Sequence, residues 1–447
     1  MNIVILAAGQ GKRMHSDFPK VLQSLAGEVF LKRIIQATKP LNAKHCVVVG
    51  GFAFEKLQSF LKDFPNIQVV FQKEQNGTAD ALLTALPCLD NTLPTLVLVG
   101  DAPLISTFSL QNLKNQAGQH TLAILSANVA QPFGYGRIVR DIHGDVLKIV
   151  EEKDADENQK TIHEVNTGIM LIPPSLLPFV EKIQNNNAQK EKYLTDLIHL
   201  AKCNHTKVQA VLLDNAMEGE GINDKIALCQ MERYVQKQQA HNLMQQGLTL
   251  MDANRFDLRG TLRFDKDCFI DVGVVLEGKC VLGKRVQIGA YCVLKNVQIG
   301  DDVKILPFCH IENAVIEKHS SVGPFARLRP NVHLKENVHV GNFVEMKQST
   351  LGNNSKAGHL SYLGDAKIGE NVNIGAGTIT CNYDGFQKSA TTIENGAFIG
   401  SGTQLVAPVE VGKNALIAAG TTLTKNAPAD SLTHSRMMQK SLPKKKK

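Results

Sequence analysis

No apolar run in this 447-residue chain reaches the roughly 18 residues needed to cross a bilayer. The start, MNIVILAAG, lacks basic residues ahead of its apolar stretch, and Gly9 and Gly11 follow directly. It reads as a buried first strand and not as a secretory signal. None of the nine cysteines forms a CxxC pair, which argues against a zinc site. Their odd number, without a signal sequence, fits reduced thiols in a cytoplasm. A basic stripe is missing too: of the net charge of +7, four units belong to Lys444–Lys447. The body therefore lacks the charged face of a nucleic-acid binder, and residues 438–447 read as a basic, disordered tail. No nucleic-acid partner and no membrane insertion are expected.

What is present falls into two textures. Up to about residue 225, continuous apolar runs such as NIVILAA (2–8), HCVVVGG (45–51), TLVLVGD (95–101) and GIMLIP (168–173) alternate with helical patterns. Such alternation predicts an α/β domain, a Rossmann-like parallel sheet covered on both faces. Residues 226–248 contain no proline and many helix formers, predicting a long linker helix. From 249 to 437 apolar-Gly pairs recur, and many of their glycines are multiples of six apart, as in 283 to 289, 323 to 341 and 400 to 412. A six-residue repeat predicts a parallel β-helix whose aliphatic residues stack in one continuous core.

The stretch LAAGQGKRMHSDFPK (6–20) is neither of the common phosphate loops. A Walker loop needs a glycine five residues ahead of Gly11-Lys12, where Leu6 stands, and a dinucleotide fingerprint needs glycine where Met14 stands. What remains is a strand, a glycine-rich turn, and the cations Arg13 and Lys20. Glycines let backbone N–H groups approach phosphate oxygens, and the cations suit a triphosphate attacked at its α-phosphorus. LAAGQGKRM with PKVL resembles the signature of sugar-nucleotide pyrophosphorylases. That resemblance implies nucleotide or sugar-nucleotide binding by Leu6, Ala7, Ala8, Gly9, Lys20, Gln72, Gly77, Thr78 and Asn223, with Gly136, Glu151 and Asn166 on the sugar side. It implies Mg²⁺ held by Asp101 and Asn223, and catalysis aided by Lys20 and Arg13. Two departures fall in the nucleotide site: Ala79-Asp80 where some relatives carry Gly-His, and Val99 where others carry an aromatic residue.

The second half holds polar clusters that a solenoid does not need for stability. Arg329, Lys347, His359, Tyr362, Asn373, Asn382, Tyr383 and Lys388 fall on successive repeats and suggest an anionic ligand. A histidine among them suits general-base work near neutral pH. This half resembles the hexapeptide-repeat acyltransferases. GPFARLRP, HVGNFVEMK, KAGHLSYLGDA and NIGAGTITCNYDG, joined to the first-half motifs, resemble one bacterial family over about residues 2 to 437. Its members are bifunctional, with glucosamine-1-phosphate N-acetyltransferase and N-acetylglucosamine-1-phosphate uridylyltransferase activities, supplying UDP-N-acetylglucosamine for peptidoglycan and outer-membrane lipid.

The family resemblance implies that His359 is the base of acetyl transfer, oriented by Glu345. It implies glucosamine-1-phosphate binding by Arg329, Lys347, Tyr362, Asn373 and Lys388. Acetyl-CoA is assigned to Ala376, Asn382, Tyr383, Ser401, Ala419 and Arg436, with Asn382 also near the sugar and Cys381 a bystander. It further implies a left-handed β-helix and a cytoplasmic homotrimer, with UTP and acetyl-CoA as substrates. Two other readings remain open at this point. One is a single-activity nucleotidyltransferase whose β-helix only assembles subunits, and the other is a sugar-nucleotide sensor without catalysis.

Overall fold

A computed structural model describes residues 1–118, 120–435 and 439–443. The chain divides into two compact units, Met1–Met231 and Glu232–Lys447.

In the first unit, nine strands among the described residues form one sheet. Asn2–Ala7 lies near its centre, almost wholly buried, because NIVILA is apolar on both faces. It pairs in parallel with His45–Gly50 on one side and Thr95–Val99 on the other. The chain reverses direction across the sheet between these neighbours, and the carboxyl ends of Asn2–Ala7 and Thr95–Val99 open a crevice there. The sheet is not wholly parallel as the apolar runs suggested: Glu164–Ile172 runs antiparallel to both Thr95–Val99 and Thr121–Asn128. The reason is its connection. The chain returns from Thr121–Asn128 through the hairpin Arg137–Arg140 and Val146–Val150, with no crossover that would restore parallel direction.

The predicted long helix is Lys225–Gln245, and the division between units falls inside it. It stops short of 248 because Gly247 takes φ 101°, with Leu248 N–H returning to the Leu243 carbonyl at 3.1 Å. Met231, Val235, Ala240 and Leu243 are its buried face, whereas Ile226 and Met244 are exposed. The Gln236 amide, 1% exposed, bonds both the N–H and the carbonyl of Leu258, fixing the helix to the strand Asp257–Phe264.

The second unit is a parallel β-helix. Phe269–Ile270 pairs with Gln287–Ile288, then Lys304–Ile305, Ser321–Val322, His339–Asn342, Lys356–His359 and Asn373–Ile374, each coil taking 17 or 18 residues, about three hexapeptides. The column Ile270, Ile288, Ile305, Val322, Val340, Ala357, Ile374 and Ile399 is buried in one continuous core. Each of its larger side chains contributes roughly 1.5–3 kcal/mol by leaving water. Cys268, Cys280, Cys292 and Cys309 sit in the same core as small apolar groups. Corners are turned by residues in the left-handed region, many of them Asn or Asp, including Asn296, Asn313, Asn337, Asn354 and Asp365. One coil is longer: Asn373 pairs with Phe398, 25 positions on. The extra residues form the projecting loop around Tyr383–Lys388, closed by a bridge between those two residues.

Candidate active sites

The crevice of the first unit is a cleft of about 290 Å³. Leu6, Ala7, Ala8, Gly9, Lys20, Gln72, Gly77, Thr78 and Asp101 line it, together with Gln75, Val99, Gly100 and Glu191. The glycine of the turn Gly77-Thr78-Ala79 is required by geometry. Gly77 has φ 111°, and a Cβ there would stand 2.5 Å from the Lys192 carbonyl oxygen. That close approach docks residues 192–194 on the turn: Ala79 N–H donates to the Lys192 carbonyl at 3.0 Å, and Leu194 N–H donates to Thr78 Oγ1 at 2.9 Å. Gln72 is buried, and its Nε2 donates to Asp80 Oδ2 at 2.8 Å. The Asp80 departure therefore orients the glutamine at the base of the cleft.

Lys20 is the charge centre. Its Nζ lies 2.6 Å from Asp101 Oδ2 and 3.1 Å from Asn223 Oδ1. Three residues far apart in sequence thus meet at one point. Arg13, expected beside Lys20, is exposed on the turn Lys12–Met14 and is not among the residues lining the cleft. The intervening turn leaves the strand end through Gly11 in the left-handed region, which carries the Arg13 side chain outward while Lys20 packs back against Gly11.

Gly136, Glu151 and Asn166 gather near one another. Asn166 N–H donates to the Gly136 carbonyl at 2.8 Å, and a Cβ on Gly136 would lie 3.2 Å from Glu151 Oε2. Burial pushes the Glu151 carboxyl up, opposed by the Thr195 hydroxyl that donates to it at 3.2 Å. Tyr135, beside Gly136, is pushed up to about 12 by burial and by Glu220, and it also feels the charge of Asp101. It links the Gly136 side to the Lys20 centre.

On the β-helix, His359 ends the strand Lys356–His359 and is exposed. Its Nδ1 lies 2.7 Å from Asn342 Oδ1. Glu345, expected to orient it, is instead bonded to Arg329 Nη1 at 3.0 Å. The pleat explains the difference: the register pairs His359 with Asn342, whereas Glu345 pairs with Tyr362 on the next face. Lys347 stands against Lys388 and close to Arg329. Lys388 first, then lost hydration and Arg329, push the Lys347 ammonium down, and Asp365 opposes them. Asp365 itself receives the Asn382 amide, so Asn382 joins the same cluster. Asn373 follows Lys356 in register and Tyr362 follows Glu345.

Ala376, Ser401 and Ala419 stack at one corner, each preceding a glycine of positive φ, and Gly402 N–H donates to Ala376 while Gly420 N–H donates to Ser401. Earlier coils carry Tyr291, Phe308, Phe325 and Phe343 at this corner, with ring centroids 4.9–5.5 Å apart. The aromatic column therefore gives way to a smooth small-residue surface in the coils assigned to acetyl-CoA. Tyr383 sits on the projecting loop, its hydroxyl donating to the Gly385 carbonyl at 2.6 Å. Arg436 and Lys444–Lys447 lie outside the described residues.

A family model described as the MobA-like NTP transferase domain matches residues 3–185. One described as bacterial transferase hexapeptide (six repeats) matches residues 296–329 and 390–425. The bifunctional protein GlmU of Janthinobacterium sp. (strain Marseille) is 48% identical over 440 residues, 98% of this chain and 97% of that protein. The bifunctional protein GlmU of Ralstonia nicotianae (strain ATCC BAA-1114 / GMI1000) is also 48% identical over 440 residues, 98% of this chain and 96% of that protein. The chain belongs to the bifunctional GlmU family.

The donors at Asp101 and Asn223 suit magnesium. Both offer hard oxygen atoms, and both already receive a cation, the Lys20 ammonium. Sequence reasoning missed Tyr135 as the link to Asp101, Glu191 as a cleft wall, and Asn342. Only Asn342 carried a usable signal: it precedes His359 by 17 positions, one coil of the repeat.

Proposed function

We propose that this chain acetylates glucosamine-1-phosphate from acetyl-CoA on the β-helix and then, in the N-terminal cleft, transfers uridylyl from UTP to N-acetylglucosamine-1-phosphate, releasing pyrophosphate. The observation that carries the reading is the meeting of Arg329, Lys347 and Lys388, with His359 held by Asn342 at 2.7 Å, on a solenoid whose core needs neither.

In the first reaction the cations hold the sugar phosphate, with Tyr362, Asn373 and Asn382 about the sugar. The amine nitrogen attacks the thioester carbonyl while His359 Nε2 takes its proton. The C–N bond forms, the C–S bond breaks, and CoA leaves as the thiol after receiving a proton. Cys381 is not needed as a nucleophile. The corner of Ala376, Ser401 and Ala419 lets the CoA arm lie flat, with Tyr383 and Arg436 completing its site.

In the second reaction the sugar-phosphate oxygen attacks the α-phosphorus of UTP as the bond to the β-phosphate bridging oxygen breaks. Leu6–Gly9 approach the phosphates with backbone groups, Gln72, Gly77 and Thr78 hold the base, and Gly136, Glu151 and Asn166 hold the sugar. Lys20 stabilises charge at the reacting phosphate, and Arg13 attracts the triphosphate from its exposed turn. Asp101 and Asn223 hold Mg²⁺, which when bound supplies neutralisation of phosphate charge. The assembly is a homotrimer in the cytoplasm. Hexapeptide repeats support assembly, and cysteines left free, Cys203 and Cys229 at the surface, support a reducing compartment.

The test is thiol release from acetyl-CoA with glucosamine-1-phosphate as acceptor and no UTP. Acceptor-dependent release is expected. Its absence from folded protein that still makes the UDP-sugar from N-acetylglucosamine-1-phosphate would reduce the β-helix to a scaffold.

A further inference from the structure

The strands His339–Asn342 and Lys356–His359 place Asn342 directly beside His359 on the preceding coil. We propose that Asn342 is the positioning residue of acetyl transfer: its amide oxygen accepts the Nδ1 proton of His359, leaving Nε2 as the lone pair that takes the proton of the attacking amine. The proposal rests on His359 being the general base.

The chemistry follows from the 2.7 Å separation of His359 Nδ1 and Asn342 Oδ1. A neutral imidazole has one N–H and one lone pair, and an amide oxygen only accepts. Nδ1 therefore carries the proton, and Nε2 is the basic atom. The alignment is built into the backbone. Gly341 and Gly358 immediately precede the two residues, and any Cβ on Gly341 would overlap the Gly358 carbonyl. The strands approach this closely only because that position is glycine.

The carboxylate that could compete, Glu345, is engaged by Arg329 at 3.0 Å. An amide differs from a carboxylate in what it does to the base. A carboxylate would favour the imidazolium and hold the proton near neutral pH, whereas an amide orients the ring without adding charge. The surrounding groups act in the same sense. On the preceding strand His339, bonded to Ser321 Oγ at 2.8 Å, and on the same strand Lys356, add no negative charge, and Asn373 on the following strand is neutral. The site thus orients the base without placing a negative charge against it.

The experiment measures kcat and KM of acetyl transfer by thiol release across pH on the full chain. Asn342→Ala is expected to lower kcat about 10- to 100-fold with little change in KM for acetyl-CoA, as loss of an orienting partner does. Asn342→Asp, nearly isosteric, is expected to restore much of kcat and to move the acid limb up by about one pH unit or more. Glu345→Gln is expected to raise KM for glucosamine-1-phosphate through Arg329 and to leave the acid limb in place. Wild-type kcat in Asn342→Ala, an unmoved limb in Asn342→Asp, or a shifted limb in Glu345→Gln would each overturn the proposal. If the alanine variant does not fold, the aspartate profile decides alone. Full acetyl transfer by His359→Ala would instead remove the base assignment itself, so the two failures are distinguishable.

Discussion

In the N-terminal cleft the lysine meets a carboxylate at 2.6 Å and an amide oxygen at 3.1 Å before any substrate arrives. On the β-helix Lys347 and Lys388 instead stand against each other with Arg329 beside them, opposed by Asp365 and, at Arg329, by Glu345 at 3.0 Å. The difference comes from the two architectures. An open α/β sheet draws Lys20, Asp101 and Asn223 from distant parts of the chain to one crevice, so opposite charges can be matched. A solenoid stacks equivalent positions about 4.8 Å apart, so cations chosen for one ligand must also neighbour one another. The first site pairs its cation and must exchange a partner on binding. The second pairs Arg329 with Glu345 but crowds Lys347 against Lys388, and gains when an anion enters.

The largest effect should separate the two sites altogether. His359→Ala is expected to lower acetyl transfer about 10²–10⁴-fold and to leave uridylyl transfer unchanged, as read by thiol release and pyrophosphate release on one preparation. Loss of both activities in folded protein would break the comparison. Next, Lys20→Met should lower kcat/KM for pyrophosphate release about 10²–10³-fold, with acetyl transfer intact.

A third prediction uses the lowered Lys347 ammonium. As pH rises through that depressed value, Lys347 loses its charge earlier than an ordinary lysine, so KM for glucosamine-1-phosphate should climb on the alkaline side below the usual lysine range. Lys388→Met removes the first cause of the depression and should move that climb to higher pH, while raising KM about tenfold at neutral pH. An unmoved climb would show that the two lysines do not share the ligand. The smallest effect belongs to the aromatic corner. Phe325→Ala breaks two stacked pairs, Phe308–Phe325 and Phe325–Phe343, and should cost about 0.5–1.5 kcal/mol per pair in thermal or denaturant unfolding, without altering either activity.

Much of this is legible in the sequence. Apolar runs mark the central strands because a strand buried on both faces has no polar side to show, and the six-residue period marks the β-helix because every coil repeats the same inward position. Motif and residue type single out Gly77, Lys20 and Asp101, which line one cleft. Other expectations meet a different arrangement within the chain. Arg13 is expected with Lys20 as a second cation of the loop, and after the left-handed Gly11 it stands exposed. The family resemblance sets Glu345 beside His359, and within the chain the coil register presents Asn342. Glu164–Ile172 was read as one more parallel strand, although apolar content carries no direction.

The sequence by itself determined the two fold classes, the family and most of the residue types at both sites, because periodicity, glycine placement and motif spacing are local. Only the tertiary structure decided which side chains touch. The Lys20–Asp101–Asn223 meeting, the Asn342–His359 pair and the crowding of Lys347 by Lys388 join residues 17 to more than 200 positions apart. Such contacts are set by strand register and by where the sheet brings its ends together, which the one-dimensional pattern does not contain.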